Sequence, residues 1–168
     1  SPIILNGSGP ALGWSATVNK PDLVDIYQLT INPDDNNQYL MDGKWHDFRQ
    51  MDASIRVKIA GPLYWTAHEP IYHSAHGPVM KFDHGSYAIR WAGMDEVRQT
   101  SFFHKINRAR NIAEFKDALA MNAMPSINYI YADHEDNIAH FYNAMMPNRD
   151  TNPAINWQSL IEGDNSAL

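Results

Sequence analysis

Polar and apolar residues alternate through much of the first half of the chain, a pattern typical of strands. The alternation is clearest in residues 23–31 and 54–59. The second of these runs predicts a strand with one face exposed to solvent. Asp42-Gly43 fits the positive dihedral angles of a type I′ turn, so residues 38–48 are predicted to form a hairpin. The other strands predicted in this half are residues 2–5 and 87–91, together with an extended stretch that runs through residues 63–67 to residues 79–82 and is broken by Gly77-Pro78.

After Gly93 the spacing of apolar residues becomes helical, and two helices are predicted at residues 95–110 and 111–121. Asn111 and Glu114 form a variant of the capping box at the start of the second helix. Residues 127–132 and 138–142 predict a second hairpin around residues 133–137, whereas residues 148–168 lack any period. Strands, then helices, then strands again predict an α+β fold.

Composition narrows the class of protein. The chain has 168 residues, 44% of them hydrophobic, with 13 Lys and Arg against 19 Asp and Glu, so one ordinary domain is expected. A net charge of −6 without a basic cluster argues against nucleic acid as a partner. No run approaches the roughly 20 apolar residues of a membrane span. The absence of Cys excludes disulfides, thiolate metal sites and Cys nucleophiles within these residues.

Histidine is concentrated in one segment, which raises the alternative of a zinc hydrolase. Four histidines and two carboxylates lie within 17 residues, namely His68, Glu69, His73, His76, Asp83 and His84. Imidazole and carboxylate are zinc ligands. In an extended segment, however, His73 and His76 point to opposite faces, so the pattern favours separate loop and surface histidines.

Two further polar features are candidates for chemistry. Asn128 interrupts an apolar run, and a buried amide costs about 1–3 kcal/mol unless it is bonded. It is therefore expected either to pair with the backbone or to offer its NH₂ group to a ligand. Asp22 and Asp25 lie three residues apart with main-chain carbonyls between them, which suits a hard cation such as calcium, although such pairs are more often solvated turn residues.

Several segments, in this order and spacing, resemble the β-subunit of the penicillin acylase family. These N-terminal-nucleophile amidohydrolases include penicillin and acyl-homoserine-lactone acylases. The segments are GWSATVN (13–19), DLVDIY (22–27), YLMDG (39–43), HGPV (76–79), YAIRW (87–91) and NYIYAD (128–133) continued by DNI (136–138). Each is weak alone, but together they span the chain to about Arg149.

The resemblance implies a four-layer αββα sandwich, to which this chain contributes antiparallel sheets and two helices. Residues 1–149 would belong to the nucleophile-hydrolase core, and residues 150–168 would be a polar continuation into the remainder. The implied reaction is hydrolysis of a linear N-acyl amide through an acyl-enzyme, with no cofactor for catalysis. The implied partners are an N-acyl amide substrate and the other α- and β-subunit parts of the same precursor, and the implied location is periplasmic or secreted.

The resemblance also implies roles for individual residues. The main-chain N–H of Val18 and the side-chain amide of Asn128 resemble the two donors of the oxyanion hole. Arg149 resembles an arginine that lies near the nucleophile, where a cation favours the neutral form of an α-amine. Part of a structural Ca²⁺ site is implied at Asp22, Asp25 and the carbonyl of Val24.

The sequence departs from the family pattern in two places. Gly7-Ser8-Gly9 stands where many members have Gly-His-Asn. The nucleophile is expected dozens of residues upstream of Val18, whereas only seventeen residues precede it. Ser1 is therefore expected to be an ordinary residue of a Ser-Pro segment rather than the nucleophile, and the chain alone is expected to be inactive.

A non-catalytic, β-rich module that binds carbohydrate or protein is the alternative from another class. Its contact surface would use the aromatic residues Trp45, Tyr64, Trp65 and Trp91. Aromatic residues dominate core burial, so core packing is the simpler prediction for most of them.

Overall fold

A computed structural model describes residues 3–168, so the predictions for Ser1 and Pro2 lie outside the described part of the chain. The chain divides into two compact units. The first contains the residues up to Leu23 and Trp91–Asn148, and the second contains Val24–Arg90 and Arg149–Leu168. Among the described residues, no helix has the length and apolar character needed to cross a membrane.

The first unit combines a four-stranded antiparallel sheet with two helices. Its strands are β1 (Gly7–Ser8), β2 (Leu12–Thr17), β11 (Ser126–Asp133) and β12 (Ile138–Ala144), and the helices are α1 (Gln99–Ile106) and α2 (Ile112–Leu119). The strands lie in the order β1-β2-β11-β12. The β11–β12 hairpin and both helices were predicted, although each helix is shorter than its predicted range.

The second unit contains a six-stranded and a three-stranded sheet. Their strands are β3 (Val24–Leu29), β4 (Ile31–Asn32), β5 (Asp35–Met41), β6 (Lys44–Asp47), β7 (Arg49–Ala60), β8 (Leu63–Ser74), β9 (Gly77–Phe82), β10 (Gly85–Trp91) and β13 (Ile161–Glu162). The orders are β13-β3-β10-β9-β8-β7 and β4-β5-β6. The predicted β5–β6 hairpin is confirmed, since Asp42 and Gly43 have φ of 50° and 74° and Met41 pairs with Lys44.

The core of the first unit lies between the helices and one face of the sheet. Phe115 of α2 is fully buried, with its ring centroid 4.9 Å from that of Tyr131 and 5.8 Å from that of Tyr129. Side chains alternate along a strand, so Tyr129 and Tyr131 face the helices and Asn128 and Ile130 face away from them. Packing of the helices thus fixes which face of β11 stays open.

Helix α2 begins with the predicted cap. The Asn111 side chain accepts a hydrogen bond from the Glu114 N–H at 2.9 Å, and Asn111 has extended backbone angles. The Glu114 carboxylate accepts from the Arg110 N–H rather than from Asn111 itself, so only half of the reciprocal box forms.

Replacing this cap should destabilise the first unit modestly. Asn111→Ala removes the acceptor for one of the unpaired N–H groups of the first helical turn, and we expect it to lower the free energy of unfolding by about 1 kcal/mol. Urea unfolding measures this change. Asn111→Ser, which keeps an acceptor at the cap, is the control and should retain most of the stability; an equal loss in both variants would contradict the capping role.

The prediction of a strand at residues 2–5 is wrong for the residues that the structure describes. Residues 3–5 are not extended in a sheet, and Ile4 and Leu5 are exposed. The Asn107 carboxamide accepts from the Ile4 N–H at 2.7 Å and donates to the Ile4 carbonyl at 2.9 Å. Both main-chain polar groups of Ile4 are thereby satisfied by one side chain instead of a neighbouring strand.

Strand β7 is longer than the strand predicted at residues 54–59, and the burial of the β7–β8 hairpin differs from the prediction. Its register places Met51 opposite Ile71 and Val57 opposite Trp65. Alternation is present as predicted, but the apolar side is exposed as well as the polar side. We call this side the apolar face of the hairpin; it consists of Met51, Ile55, Val57, Ile59, Trp65 and Ile71, which are 39% to 68% exposed.

Residues near the C-terminus of the second unit form hydrogen bonds with residues in or next to its sheets. The Asp42 N–H donates to the Asp164 carbonyl at 2.7 Å, and the Ser166 N–H donates to the Asp42 carboxylate at 3.0 Å. His76 is buried, stacks on the Tyr27 ring at 3.9 Å between centroids, and donates from Nε2 to the Gly163 carbonyl at 3.3 Å. The aperiodic sequence of 148–168 therefore includes a strand, β13, that packs on the second unit.

His76 should make the stability of the second unit depend on pH. Burial lowers the pKa of His76 from 6.5, so the folded state favours its neutral form. The contribution of neutral His76 to the free energy of unfolding is fully present above pH 6.5. It is lost as the pH falls from there toward the lowered pKa, because the unfolded chain binds the proton at a higher pH than the folded chain does.

We therefore expect the melting temperature to fall between pH 7 and pH 5, and to fall less in His76→Phe, which keeps a ring on Tyr27 but cannot titrate. The measurement is Tm against pH for both proteins. His104→Phe, at an exposed position on α1, is the control and should keep the wild-type slope. Equal slopes for His76→Phe and the wild type would contradict this prediction.

Candidate functional site

The face of the four-stranded sheet that points away from the helices carries a group of polar side chains. Asn128 of β11 lies opposite Thr17 of β2 and opposite Tyr142 of β12. The same registers pair Ile130 with Ser15 and with His140. We call this surface the open face; its polar side chains are Ser15, Thr17, Asn128, His140 and Tyr142.

Asn128 is half-buried in the centre of the open face. Its Oδ1 accepts a hydrogen bond from His140 Nε2 at 3.2 Å. Its Nδ2 donates to no other residue in 3–168. The sequence left open whether this amide pairs with the backbone or offers its NH₂ group. The structure pairs its oxygen with a side chain and leaves the NH₂ group available.

Val18 follows β2 directly, one residue after Thr17, the register partner of Asn128. The residue is 77% exposed. Its main-chain N–H donates no hydrogen bond to any residue that the structure describes. Two amide donors therefore lie near each other along the β2 and β11 register, the Asn128 side chain opposite Thr17 and the Val18 N–H in the following residue, and neither donates within residues 3–168.

Arg149 lies in the second unit and forms an ion pair with Asp25. The guanidinium donates from Nη2 to Oδ1 at 2.8 Å and from Nε to Oδ2 at 3.3 Å. The side chains of Arg149 and Asp25 are 19% and 4% exposed. The Arg149 guanidinium also lies 5.6 Å from the centroid of the Trp157 ring. A bidentate pair in this environment compensates the buried carboxylate.

This ion pair was not predicted, although the sequence contains a signal for it. Asp25 is in phase with Tyr27 and Leu29, the buried positions of β3. A carboxylate on the inner face of a strand requires a positive partner, because an unpaired buried charge is costly. The sequence pattern thus indicates that a cation is needed but not which one.

The calcium site expected at Asp22, Val24 and Asp25 stays a prediction. Residues 3–168 contain no group of three or more His, Asp or Glu side chains placed to hold a metal ion. Calcium takes six to eight oxygen ligands, and both carboxylate oxygens of Asp25 already accept from Arg149. No step of the proposed chemistry depends on this ion.

The four clustered histidines occupy separate environments. His68 is exposed and bonds from Nδ1 to Asp52 at 2.9 Å, and His84 stacks on Phe82 with 5.2 Å between ring centroids. His76 is buried against Tyr27, as described above. His73 pairs with Arg49 and with Pro78 in the sheet registers. The described geometry gives no support to a zinc hydrolase.

The aromatic residues of the alternative binding module are not core residues, so the prediction of core packing for most of them is wrong. Trp45, Tyr64, Trp65 and Trp91 are all exposed. Trp65 belongs to the apolar face of the hairpin. Tyr64 lies on the opposite side of the hairpin, with the Arg56 guanidinium 4.3 Å from its ring centroid. Strand alternation thus separates two of these rings rather than joining them in one surface.

Comparisons with known proteins agree with the sequence resemblance. A family model described as penicillin amidase matches residues 1–167. Acyl-homoserine lactone acylase PvdQ of Pseudomonas fluorescens (strain Pf0-1) is 23% identical over 183 residues, covering 99% of this chain and 23% of that protein. Penicillin G acylase of Escherichia coli is 24% identical over 149 residues, covering 88% of this chain and 17% of that protein.

A solved structure shows the same relationship. Thermostable penicillin G acylase from Alcaligenes faecalis matches with a TM-score of 0.82 and 31% identity, covering 98% of this chain and 29% of that chain. The likeness confirms the predicted α+β class, a part of the N-terminal-nucleophile hydrolase sandwich. The chain spans less than a third of the length of each of these three proteins.

Proposed function

Because the chain belongs to the penicillin amidase family, we propose that its open face carries the oxyanion hole of an amidohydrolase that cleaves linear N-acyl amides. The Val18 N–H and the Asn128 Nδ2 are the two donors. The observation that carries the proposal is their position: Asn128 lies opposite Thr17, Val18 is the next residue along the chain, and neither N–H group has an acceptor within residues 3–168.

The physical basis is charge stabilisation in the transition state. When a nucleophile adds to an amide carbonyl, the carbonyl oxygen becomes negatively charged, and fixed N–H donors stabilise that charge without reorganising. Asn128 is held in a strand that is paired on both sides, by β2 and by β12. One such donor contributes about 3 kcal/mol to lowering the barrier.

The nucleophile is proposed to come from another segment of a longer enzyme. In this family the nucleophile is a serine exposed by self-cleavage, and its Oγ would attack the carbonyl carbon to form an acyl-enzyme with release of the amine. Water would then hydrolyse the ester and regenerate the serine. Ser15 shares the open face, but its Oγ donates to Asn6 Oδ1 at 3.5 Å and contacts no base.

The substrate is proposed to be a small molecule with an acyl group on nitrogen. Relatives named acyl-homoserine lactone acylase and penicillin G acylase support this class, since both names describe removal of an acyl group. The remaining α- and β-subunit parts of the precursor would complete the acyl pocket. A periplasmic or secreted location is proposed on the same family grounds.

Arg149 and calcium also belong to this proposal. Arg149 is proposed as the cation near the nucleophile, and its bidentate pair with Asp25 would hold its guanidinium in place. A structural calcium at Asp22, Val24 and Asp25 would have to share or displace that arginine. Added calcium that raises Tm, with the rise abolished by Asp22→Asn, would support the ion, because a ligand that binds only the folded state stabilises it.

The central experiment compares the longer enzyme with the 168-residue chain. Both are assayed with N-acyl 4-nitroanilides, acyl-homoserine lactones and penicillin G. We expect the longer enzyme to hydrolyse at least one of these amides and the chain alone to hydrolyse none. Turnover by the chain alone would place the nucleophile within it, and a longer enzyme inactive on all linear amides would overturn the acylase proposal.

A further inference from the structure

We infer that His140 is a positioning residue that fixes the orientation of the Asn128 carboxamide, so that its NH₂ group rather than its oxygen faces the substrate. The inference rests on the proposed function and goes beyond it, since it assigns a role to a residue whose side chain bonds to Asn128. His140 acts only through Asn128.

The sheet register brings the two side chains together. Asn128 lies opposite Tyr142, and His140 lies opposite Ile130. His140 is therefore the diagonal neighbour of Asn128 on the same face of the β11–β12 pair, within reach of a long side chain. The contact is the 3.2 Å hydrogen bond between His140 Nε2 and Asn128 Oδ1.

A carboxamide needs such a partner because its two ends are nearly identical in shape. Rotation by half a turn would present Oδ1 to the developing oxyanion, which would repel the charge instead of stabilising it. An imidazole N–H can bond Oδ1 but not the NH₂ group, so a donor at Nε2 selects the productive orientation. The same hydrogen bond polarises the amide and strengthens its N–H as a donor.

No second contact within residues 3–168 performs this task. The Asn128 side chain has His140 as its sole hydrogen-bond partner in the described part of the chain. His140 itself is exposed. Substitutions at exposed positions usually change stability only slightly, so the effect of His140 on turnover can be separated from any effect on folding.

The experiment uses the longer enzyme and an N-acyl 4-nitroanilide that it hydrolyses. His140→Phe removes the donor, and we expect kcat to fall about tenfold with KM unchanged, the factor that corresponds to one hydrogen bond of about 1–1.5 kcal/mol. His140→Gln retains an N–H donor and should recover most of kcat. His104→Phe is the matched control and should leave kcat unchanged.

A double-mutant cycle separates this inference from the function on which it rests. In an Asn128→Ala background, His140→Phe should have no further effect on kcat, because the group that it orients is gone. If Asn128→Ala itself leaves kcat unchanged, the proposed oxyanion hole is wrong. If Asn128→Ala lowers kcat but His140→Phe does not, or acts equally in both backgrounds, the role of His140 is overturned and the oxyanion hole stands.

Folding is checked by the melting temperature of each variant. Should His140→Phe lose thermal stability, His140→Ala, which adds no bulk to the sheet face, takes its place in the same cycle. The same outcomes then decide the inference. Recovery of kcat by His140→Gln is the result that a merely structural role would not produce.

Discussion

In the longer enzyme that we propose, Asn128→Ala should lower kcat for a linear N-acyl amide by about 10²–10³-fold, with a much smaller effect on KM. The physical reason is that, in the proposed oxyanion hole, the Asn128 NH₂ group would interact with charge that exists only in the transition state. Losing that interaction raises the barrier without weakening binding of the uncharged substrate to the same extent. Steady-state kinetics on the variant give both constants.

Two further variants make this measurement specific. Asn128→Asp keeps the shape of the side chain but replaces the NH₂ donor by a carboxylate oxygen, so its loss in kcat should be at least as large. Asn36→Ala is the matched control, because Asn36 is an exposed asparagine in a strand of the second unit. A loss of tenfold or less for Asn128→Ala would argue against the donor role.

Breaking the pair between Arg149 and Asp25 should produce the largest change in stability. Arg149→Met keeps much of the side-chain volume but leaves the Asp25 carboxylate, 4% exposed, without its guanidinium. Removing one partner of a buried ion pair costs about 3–5 kcal/mol, because the other charge stays desolvated. We expect a loss of this size in the free energy of unfolding of the chain, measured with urea.

The loss in the free energy of unfolding should be smaller when the unpaired carboxylate of Asp25 is removed as well. In the double variant Arg149→Met with Asp25→Asn, we expect part of the stability to return. Arg56→Met is the control, since this exposed arginine contacts the Tyr64 ring, and such a contact is worth about 0.5–1 kcal/mol. Equal losses for the two arginine variants would show that the Asp25 pair is no stronger than a surface contact.

The elements that the sequence predicted well are those specified by neighbouring residues. The β5–β6 hairpin depends on Asp42-Gly43, which supplies both positive φ angles of its turn. Helix α2 depends on Asn111, which caps it from one residue away. Both signals are local, so no knowledge of the rest of the fold was needed.

The predictions that failed depended on side-chain contacts with the main chain, some of them between residues far apart in the chain. Ile4 was predicted to be in a strand, but its main chain is bonded to Asn107, 103 residues away. Helix α1 is shorter than predicted at both ends. The Glu96 carboxylate accepts from the Arg98 N–H before its start, and the side chain of Asn107, its C-terminal cap, is committed to Ile4. Hydrophobic periodicity carries no information about such side-chain contacts.

In the candidate site, too, the sequence indicated local features but not the contacts between distant residues. Asn128 could be selected from sequence because it is polar within an apolar run. Its contact with His140 follows only when the register of the β11–β12 hairpin is known, and the pair between Asp25 and Arg149 joins residues 124 positions apart. Sequence therefore indicated which groups need partners, whereas the register and the tertiary fold determined the partners themselves.

The β7–β8 hairpin has a consequence for handling the protein. Strand β7 is the outer strand in the order of the six-stranded sheet, and its long apolar side is exposed to water. An open edge with unpaired main-chain groups beside an apolar surface is a template for intermolecular β-pairing. We expect the isolated 168-residue chain to have low solubility, and a lysine introduced at Val57 to be the most direct way to concentrate it for study.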